Sequence, residues 1–177
     1  MKEIVVIGAG PAGMMAAISA AAAGDRVTIL EKKDKVGRKL SITGKGRCNL
    51  TAAVNRDGLI KGMPGNGRFL YSCFSEFANQ ELIEFFARRG LKVKVERGQR
   101  VFPESDNAGQ VVEVLVGAMR EARVRVITRC EVRGLRVVDG RIAGVDTGQG
   151  IMPASAVVLA TGGLSYPGTG STGDGYR

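Results

Sequence analysis

A short glycine-rich turn near the N-terminus, between an apolar run and an alanine-rich run, constrains the fold more than any other feature of the sequence. The β-branched run Lys2–Ile7 predicts a strand, and Pro11–Ala23 predicts a helix that ends at Gly24. Arg26–Leu30 predicts a second strand. A strand, a helix begun at a glycine turn and another strand within about thirty residues predict a right-handed βαβ unit with a parallel sheet.

The turn itself matches the GxGxxG pattern, with the residues Gly8, Ala9, Gly10, Pro11, Ala12 and Gly13. In a dinucleotide site Gly8 permits the tight turn, Gly10 leaves room for a pyrophosphate, and Gly13 allows the helix to pack closely on the sheet. The helix N-terminus offers N–H groups to the phosphates. Glu31, at the end of the second strand, is placed to accept hydrogen bonds from ribose hydroxyls and would repel a 2′-phosphate. The alternative, a structural glycine turn beside an exposed glutamate, is disfavoured because strand, turn, helix and acid coincide.

The net charge of +9 is concentrated in two clusters, Lys32–Arg47 and Arg120–Arg141. The first cluster lies inside a polar, glycine-containing loop, Lys32–Asn55, and a loop of this length predicts a ligand-binding role, with phosphate as the simplest explanation of the charge. For the second cluster a solvated surface and an anionic partner remain equal alternatives.

The rest of the chain predicts a small helical insertion and then a β-meander that returns to the parallel sheet. The predicted helices are Arg68–Phe77, Gln80–Arg89 with Gly90 as C-cap, and Gln110–Ala122 capped by Ser105 or Asp106. The predicted strands are Lys92–Val95, Arg100–Phe102, Val124–Ile127, Glu131–Val138, Ile142–Val145, Ile151–Pro153 and Ala156–Ala160, with a hairpin turn at Asp139-Gly140.

Composition excludes several classes of chemistry. The sequence contains no histidine, so these residues provide no imidazole base or His-based triad. Its three cysteines, Cys48, Cys73 and Cys130, form neither a CxxC redox pair nor a zinc motif, so we expect no metal site. Free thiols and the lack of a long apolar stretch lead us to expect a cytoplasmic protein without a membrane span.

Two segments after the turn carry a family resemblance. They are Gly37-Arg38-Lys39 and the run from Thr43 to Thr51, TGKGRCNLT. On these residues the sequence resembles FAD-dependent oxidoreductases of the two-dinucleotide-binding-domain type. It most closely resembles a bacterial family described as aminoacetone oxidase-like or NAD(P)/FAD-dependent, which includes bile-acid reductases. Ala52 departs from the asparagine usual in that family, which puts that contact in doubt.

The resemblance implies an α/β fold, namely a Rossmann-like FAD-binding domain with a parallel sheet, a three-stranded β-meander crossover and a small helical insertion. It also implies main-chain contacts to adenine at Val132 and an ATG segment beside the cofactor. The combined set of expected FAD contacts is Gly8, Ala9, Gly10, Pro11, Ala12, Gly13, Glu31, Lys32, Arg38, Lys39, Thr43, Gly44, Arg47, Asn49, Thr51, Val132, Ala160, Thr161 and Gly162. Two residues keep open alternatives. Cys48 faces flavin or substrate, or it is a small buried packing residue, and Asp174 is a helix cap or a ribityl ligand.

The implied function is FAD-dependent oxidation or reduction of a small organic substrate, with hydride passing through flavin N5 and NADH or NADPH as an optional electron donor. Residues 1–177 are then expected to form the N-terminal portion of an FAD-binding domain that lacks its C-terminal completion. A flavin-dependent tRNA-modifying protein and a non-catalytic FAD-binding fragment are the alternatives.

Nucleic acid is disfavoured as a partner because the chain has few aromatic residues for stacking. The oligomeric state is left open. Tyr166, Tyr176, Lys45 and Arg47 are candidates for proton transfer, without an assignment among them.

Overall fold

The computed structural model describes residues 1–176, which fall into two compact units. The first unit comprises Met1–Leu40 and the described part of Leu115–Arg177, and the second comprises Ser41–Val114. Along the chain the strands and helices are β1 (Glu3–Ile7), α1 (Pro11–Ala22), β2 (Arg26–Leu30), α2 (Thr43–Gly46), β3 (Thr51–Ala52), α3 (Arg56–Gly62), α4 (Tyr71–Glu76), α5 (Asn79–Ala87), β4 (Val93–Glu96), β5 (Arg100–Pro103), α6 (Ala108–Glu121), β6 (Arg125–Ile127), β7 (Val132–Val138), β8 (Arg141–Thr147), β9 (Gly150–Pro153) and β10 (Ala156–Leu159).

The first unit contains a parallel sheet of four strands in the order β10-β1-β2-β6. Val5 of β1 lies between Thr28 of β2 and Val157 of β10, and each of these pairings is parallel. The predicted βαβ unit is therefore confirmed. Because parallel strands bury both faces, β1 and β2 are almost continuously apolar, and Val6 and Ile29 in their second halves are fully buried.

A second sheet in the same unit is the antiparallel meander β7-β8-β9. Its β7–β8 turn has positive φ at both Asp139 (50°) and Gly140 (72°), the backbone of a two-residue hairpin turn, as the sequence predicts. Val145 of the meander belongs to one buried cluster with Val5, Ile7 and Leu30 of the parallel sheet. The meander thus covers one face of the parallel sheet, and strand β10 returns beside β1 after it.

The second unit is built around a small antiparallel sheet, β3-β5-β4, with helices α3, α4 and α5. Thr51 pairs with Val101, and Val95 pairs with Val101 from the other side. Phe85 and Phe86 of α5 are buried and pack edge to face, with ring centroids 5.2 Å apart. The predicted helical insertion is confirmed, and it contains a sheet as well.

Three local predictions differ from the structure. The predicted helix Arg68–Phe77 is a 3₁₀ turn, Gly67–Leu70, followed by the short helix α4. The segment Lys32–Asn55, expected to be an irregular loop, includes the helical turn α2 and strand β3, because β3 gains its hydrogen bonds from a strand about fifty residues later, a pairing that local sequence does not reveal. The cap of α6 is Asn107, and neither Ser105 nor Asp106 serves. The Asn107 side chain accepts a hydrogen bond from the Gly109 N–H at 2.8 Å.

Candidate functional site

The three glycines of the N-terminal turn serve different purposes. Gly8 has φ of +101°, and a Cβ there would lie 2.5 Å from the carbonyl oxygen of Ala160. A Cβ on Gly13 would overlap the carbonyl oxygen of Gly8. Gly10 has an ordinary φ of −77°, and apart from Gly10 itself and its two chain neighbours no heavy atom of residues 1–176 lies within 4 Å of a Cβ built on it. Folding therefore requires glycine at positions 8 and 13 and leaves position 10 free to accept a side chain.

Helix α1 begins directly at this turn, with Gly10 as N-cap and Pro11 as its first residue. Ala12 and Gly13 lie in the first helical turn, where backbone N–H groups have no carbonyl partner within the helix. A proline in the first position has no N–H to leave unpaired and a φ suited to a helix start. The helix thus presents the positive end of its dipole beside Gly10, an arrangement suited to phosphate oxygens.

Glu31 is fixed at the carboxyl end of β2 by the backbone around it. One carboxylate oxygen accepts the Ala9 N–H at 3.0 Å, and the other accepts the Lys33 N–H at 2.9 Å. A carboxylate has about four lone-pair positions, so two hydrogen bonds leave acceptor capacity for a ligand hydroxyl. The hydrogen bond from Ala9 also connects Glu31 to the glycine turn, since Ala9 lies between Gly8 and Gly10.

A cavity of about 490 Å³ opens in the first unit where β1, β2 and β10 end. Ligands in open α/β sheets bind outside the carboxyl ends of the strands, so this cavity lies where a dinucleotide is expected. Five of the predicted contact residues line it together: Gly8, Glu31, Lys32, Val132 and Thr161. Sequence reasoning did not identify other lining residues such as Cys130, Glu131, Arg133 and Gly170. For the first three, the signal was their position next to Val132 at the start of β7, which was expected to contact adenine; Gly170 lies after β10 and had no such signal.

Lys32 and Asp174 form an ion pair in the wall of this cavity. The Lys32 ammonium lies 2.5 Å from the Asp174 carboxylate and 2.6 Å from the Thr172 hydroxyl, which itself donates to Asp174 at 2.7 Å. Asp174 opens a 3₁₀ turn, Asp174–Tyr176. The sequence left two alternatives open for Asp174. Its position at the start of the 3₁₀ turn fits a helix cap, and its place in the cavity wall fits a ribityl ligand.

The ATG segment and the basic residues after Glu31 also lie in the first unit. Ala160 donates its N–H to the Ile7 carbonyl at 2.9 Å, and Gly162 has φ of +74°. Lys39 donates to the backbone and hydroxyl oxygens of Ser165 at 3.1 and 3.0 Å, whereas Arg38 reaches Asp34 at 3.5 Å.

The remaining predicted contacts, Thr43, Gly44, Arg47, Asn49 and Thr51, belong to the second unit. There a tight loop places Gly44 and Lys45 in the left-handed region, with φ of 57° and 59°. A Cβ on Gly44 would lie 3.2 Å from the Phe102 ring, so packing favours glycine here. Oriented with its nitrogen toward β5, the Asn49 amide donates to the carbonyl oxygens of Val101 and Thr51 at 3.2 and 2.9 Å.

Arg47 lies at the centre of a charge network in the second unit. Its guanidinium binds the carboxylates of Glu96 and Asp106 and lies 4.3 Å from the centroid of the Phe102 ring. Lys94 joins the network at 2.7 Å from Asp106. Hydrogen bonding to Arg47 lowers the pKa of Glu96, and hydrogen bonding to Lys94 and then Arg47 lowers the pKa of Asp106. These two carboxylates also raise the pKa of Arg47, with Glu96 the larger cause.

Cys48, next to Arg47, is fully buried with φ of +62°. Burial raises the pKa of its thiol, and the Thr43 side chain opposes this effect by hydrogen bonding. A buried thiol with a raised pKa is a poor nucleophile. The structure therefore favours the packing role among the two roles considered for Cys48.

The chain resembles known proteins along essentially its whole length. The family described as HI0933-like protein Rossmann domain matches residues 2–177. The chain is 38% identical over 179 residues to the 3-dehydro-bile acid delta(4,6)-reductase of Clostridium scindens, covering 99% of this chain and 42% of that protein. It is 31% identical over 175 residues to the ribosomal RNA dihydrouridine synthase of Escherichia coli, covering 99% of this chain and 43% of that protein. The chain thus spans less than half the length of these relatives.

Solved structures share the fold at lower identity. A chain of the Mycobacterium smegmatis Sdh1 complex superimposes with a TM-score of 0.66 at 24% identity, over 92% of this chain and 34% of that one. Thermovibrio ammonificans THI4 does so with a TM-score of 0.61 at 16% identity, over 91% of this chain and 57% of that one. Identities this low support the fold alone.

Within residues 1–176, every helix is too short or too polar to cross a membrane.

Proposed function

The chain belongs to the HI0933-like family of FAD-binding oxidoreductases, and we propose that its first unit holds the adenosine of FAD in the cavity at the strand ends and the pyrophosphate at the adjacent glycine turn, where Gly8 lines the cavity. The whole protein would then oxidise or reduce a small organic substrate. FAD supplies hydride transfer at flavin N5 when it is bound.

The observation that carries this proposal is that position 10, at the N-terminus of α1, would accept a side chain and yet is glycine. Gly8 and Gly13 are glycines because any Cβ there would strike backbone, whereas Gly10 meets no such restriction among residues 1–176. Beside the N-terminus of a helix, a glycine that neither φ nor packing requires is explained when a ligand must approach its backbone. The position beside the N-terminus of α1 favours an anion, and a pyrophosphate fits that requirement.

The other residues of the site fit the adenosine half of the same ligand. Glu31 offers a fixed carboxylate to ribose hydroxyls, and its negative charge disfavours a 2′-phosphate. Val132 lies in the cavity wall at the start of β7, where backbone groups can approach an adenine edge. In this proposal the chain's residues bind and orient the cofactor and exclude water around it. NADH or NADPH as electron donor belongs to the same proposal.

The test is a pair of glycine substitutions in the purified protein. Gly10→Val is expected to keep the circular-dichroism spectrum and melting temperature but to reduce FAD affinity about a hundredfold or more, because the side chain fills the space of the phosphates. Gly117→Val in α6 is the matched control, since beyond its chain neighbours and its own helix backbone a Cβ there also meets no heavy atom of residues 1–176 within 4 Å. Flavin released by denaturation measures stoichiometry, and fluorescence titration measures affinity. Full FAD occupancy in Gly10→Val would overturn the proposal.

A second candidate function is flavin-dependent modification of RNA. The similarity to the E. coli ribosomal RNA dihydrouridine synthase and the net charge of +9 favour it. The arginines of the second basic cluster, including Arg125, Arg133 and Arg136, are exposed. RNA binding that weakens steeply between about 50 and 200 mM salt supports this candidate. Flavin reduction or reoxidation by small organic compounds, without RNA binding, supports the first.

A further inference from the structure

The segment from Thr161 to Gly175 forms part of the cavity wall yet is poorly suited to hold its own shape. It is built from 3₁₀ turns and contains left-handed glycines at Gly162, Gly170 and Gly173. Glycines lose more conformational entropy on ordering than other residues, so such a segment requires anchors to stay in one conformation. Thr161, Gly170, Asp174 and Gly175 nevertheless line the cavity.

Two lysines that follow strand β2 provide anchors for this segment. Lys39 donates to Ser165 and lies 5.7 Å from the centroid of the Tyr166 ring. Lys32 binds Thr172 and Asp174 at 2.6 and 2.5 Å, across 140 and 142 residues of sequence. Lys32 is the more effective anchor, since only 21% of its side chain is exposed and both it and Asp174 face the cavity.

We infer that Lys32 is a positioning residue: it holds the Gly170–Gly175 segment closed against the FAD cavity through Thr172 and Asp174, and so slows the escape of the cofactor. This inference rests on the proposed FAD site. It assigns to Lys32 a role distinct from that of a phosphate ligand, because the Asp174 carboxylate already opposes the Lys32 charge. The hydroxyl of Thr172 completes a closed triangle of hydrogen bonds, which fixes the orientation of both charged groups.

The test compares Lys32→Met, Asp174→Asn and the double variant. Each single change is expected to raise the FAD dissociation constant and dissociation rate by about three- to tenfold, a modest range because the pair is partly exposed. The double variant is expected to lose no more than either single one, since both changes break the same contact. The charge-exchanged variant, with Lys32→Asp and Asp174→Lys together, is expected to recover part of the loss.

A surface ion pair in the same unit provides the matched control. Arg26 and Glu3 lie 2.7 Å apart with side chains 66% and 50% exposed. Arg26→Met and Glu3→Gln remove a pair of the same type and are expected to leave FAD binding unchanged. If they weaken FAD binding as much as the Lys32 and Asp174 variants do, the effect is general destabilisation and the inference is wrong.

Several outcomes would overturn the inference directly. A large loss in Lys32→Met with none in Asp174→Asn would make Lys32 a direct ligand of the cofactor. Additive losses in the double variant would show that the two residues act separately, and unchanged binding in all variants would reduce the pair to a surface contact.

A second measurement separates this inference from the proposed function. Hydrogen exchange of FAD-free protein follows the segment without reference to any ligand. Faster exchange of the Gly170–Gly175 segment in Lys32→Met, with unchanged exchange in α1, supports the role of Lys32 as an anchor even if the protein binds no FAD. Unchanged exchange throughout the segment would contradict the anchor, whatever the cofactor result.

Discussion

Two glycine-rich turns of this protein look alike in sequence but differ in what their residues already contact. In the Gly8–Gly13 turn, close backbone contacts require glycine at Gly8 and Gly13. Packing does not require glycine at Gly10. In the Thr43–Cys48 turn, Gly44 packs near Phe102, and Arg47 binds Glu96 and Asp106.

The difference shows how ligand residues can be separated from structural ones. A glycine or cation whose neighbours explain it fully needs no ligand. An unconstrained glycine indicates a ligand only where a binding group lies beside it, as the N-terminus of α1 does at Gly10, whereas Gly117 is equally unconstrained inside α6 and indicates none. By this criterion Gly10 is a strong candidate for cofactor contact. Arg47 has a structural role in the second unit that is sufficient to explain its presence.

The largest expected effect is a loss of stability at Gly13, one of the two glycines that packing requires in the Gly8–Gly13 turn. Gly13→Ala places a methyl group onto the Gly8 carbonyl oxygen, and relief would require α1 to move away from the sheet. We expect a loss of stability above about 3 kcal/mol, the upper range for overpacking, measured by urea denaturation. Gly10→Ala, the control, should change stability by less than about 0.5 kcal/mol. Equal stability of the two variants would remove the distinction between these glycines.

The next effect tests the acidic partner of that turn. Glu31→Ala removes a carboxylate that is positioned for ribose hydroxyls, and charge-assisted hydrogen bonds contribute roughly 1.5–3 kcal/mol each. We therefore expect the FAD dissociation constant to rise by about ten- to a hundredfold in a fluorescence titration. Glu131→Ala is the control, since this glutamate also lines the cavity, and a change below about threefold is expected there. A similar rise of the FAD dissociation constant in both variants would indicate that the loss of any negative charge in the cavity weakens FAD binding.

The smallest effect concerns the second turn and depends on pH. Glu96 and Asp106 have pKa values lowered in the folded protein, so their ion pairs contribute stability above the unfolded pKa values, and this contribution is lost as the pH falls through the folded ones. The loss begins near the ordinary values of 4.5 for Glu96 and 3.8 for Asp106 and extends below them. Arg47→Met should lower the melting temperature at neutral pH and flatten its acid dependence.

Arg100→Met is the control for this prediction. Arg100 also lies near the Phe102 ring, at 5.7 Å, but its side chain donates to the Arg97 carbonyl rather than to a carboxylate. Its acid profile should match that of the unmodified protein. An unchanged acid profile in Arg47→Met would show that the network contributes nothing measurable to stability, as is common for exposed ion pairs.

Much of the fold was predictable because its signals are local. The β-branched runs, the alanine-rich helix and the Asp139-Gly140 turn each specify their own backbone, and the structure confirms all three. The strand Thr51–Ala52 was missed because two residues carry no pattern, and it exists through pairing with β5. The Asn107 cap was misplaced by one or two residues because neighbouring polar side chains compete for the same helix end.

The sequence by itself determined the βαβ unit, the GxGxxG turn and the acid after β2, because spacing along one chain fixes which groups meet at the end of a strand. Only the tertiary structure decided that Gly10 is unconstrained while Gly8 and Gly13 are not, and that Lys32 lies against Asp174. The close approach at Gly8 and the Lys32–Asp174 pair depend on contacts between residues more than a hundred positions apart in the chain, whereas the overlap at Gly13 arises with Gly8 once α1 has packed against the turn. No local pattern encodes such contacts, since they form only after the strands have paired and the meander has packed on the sheet.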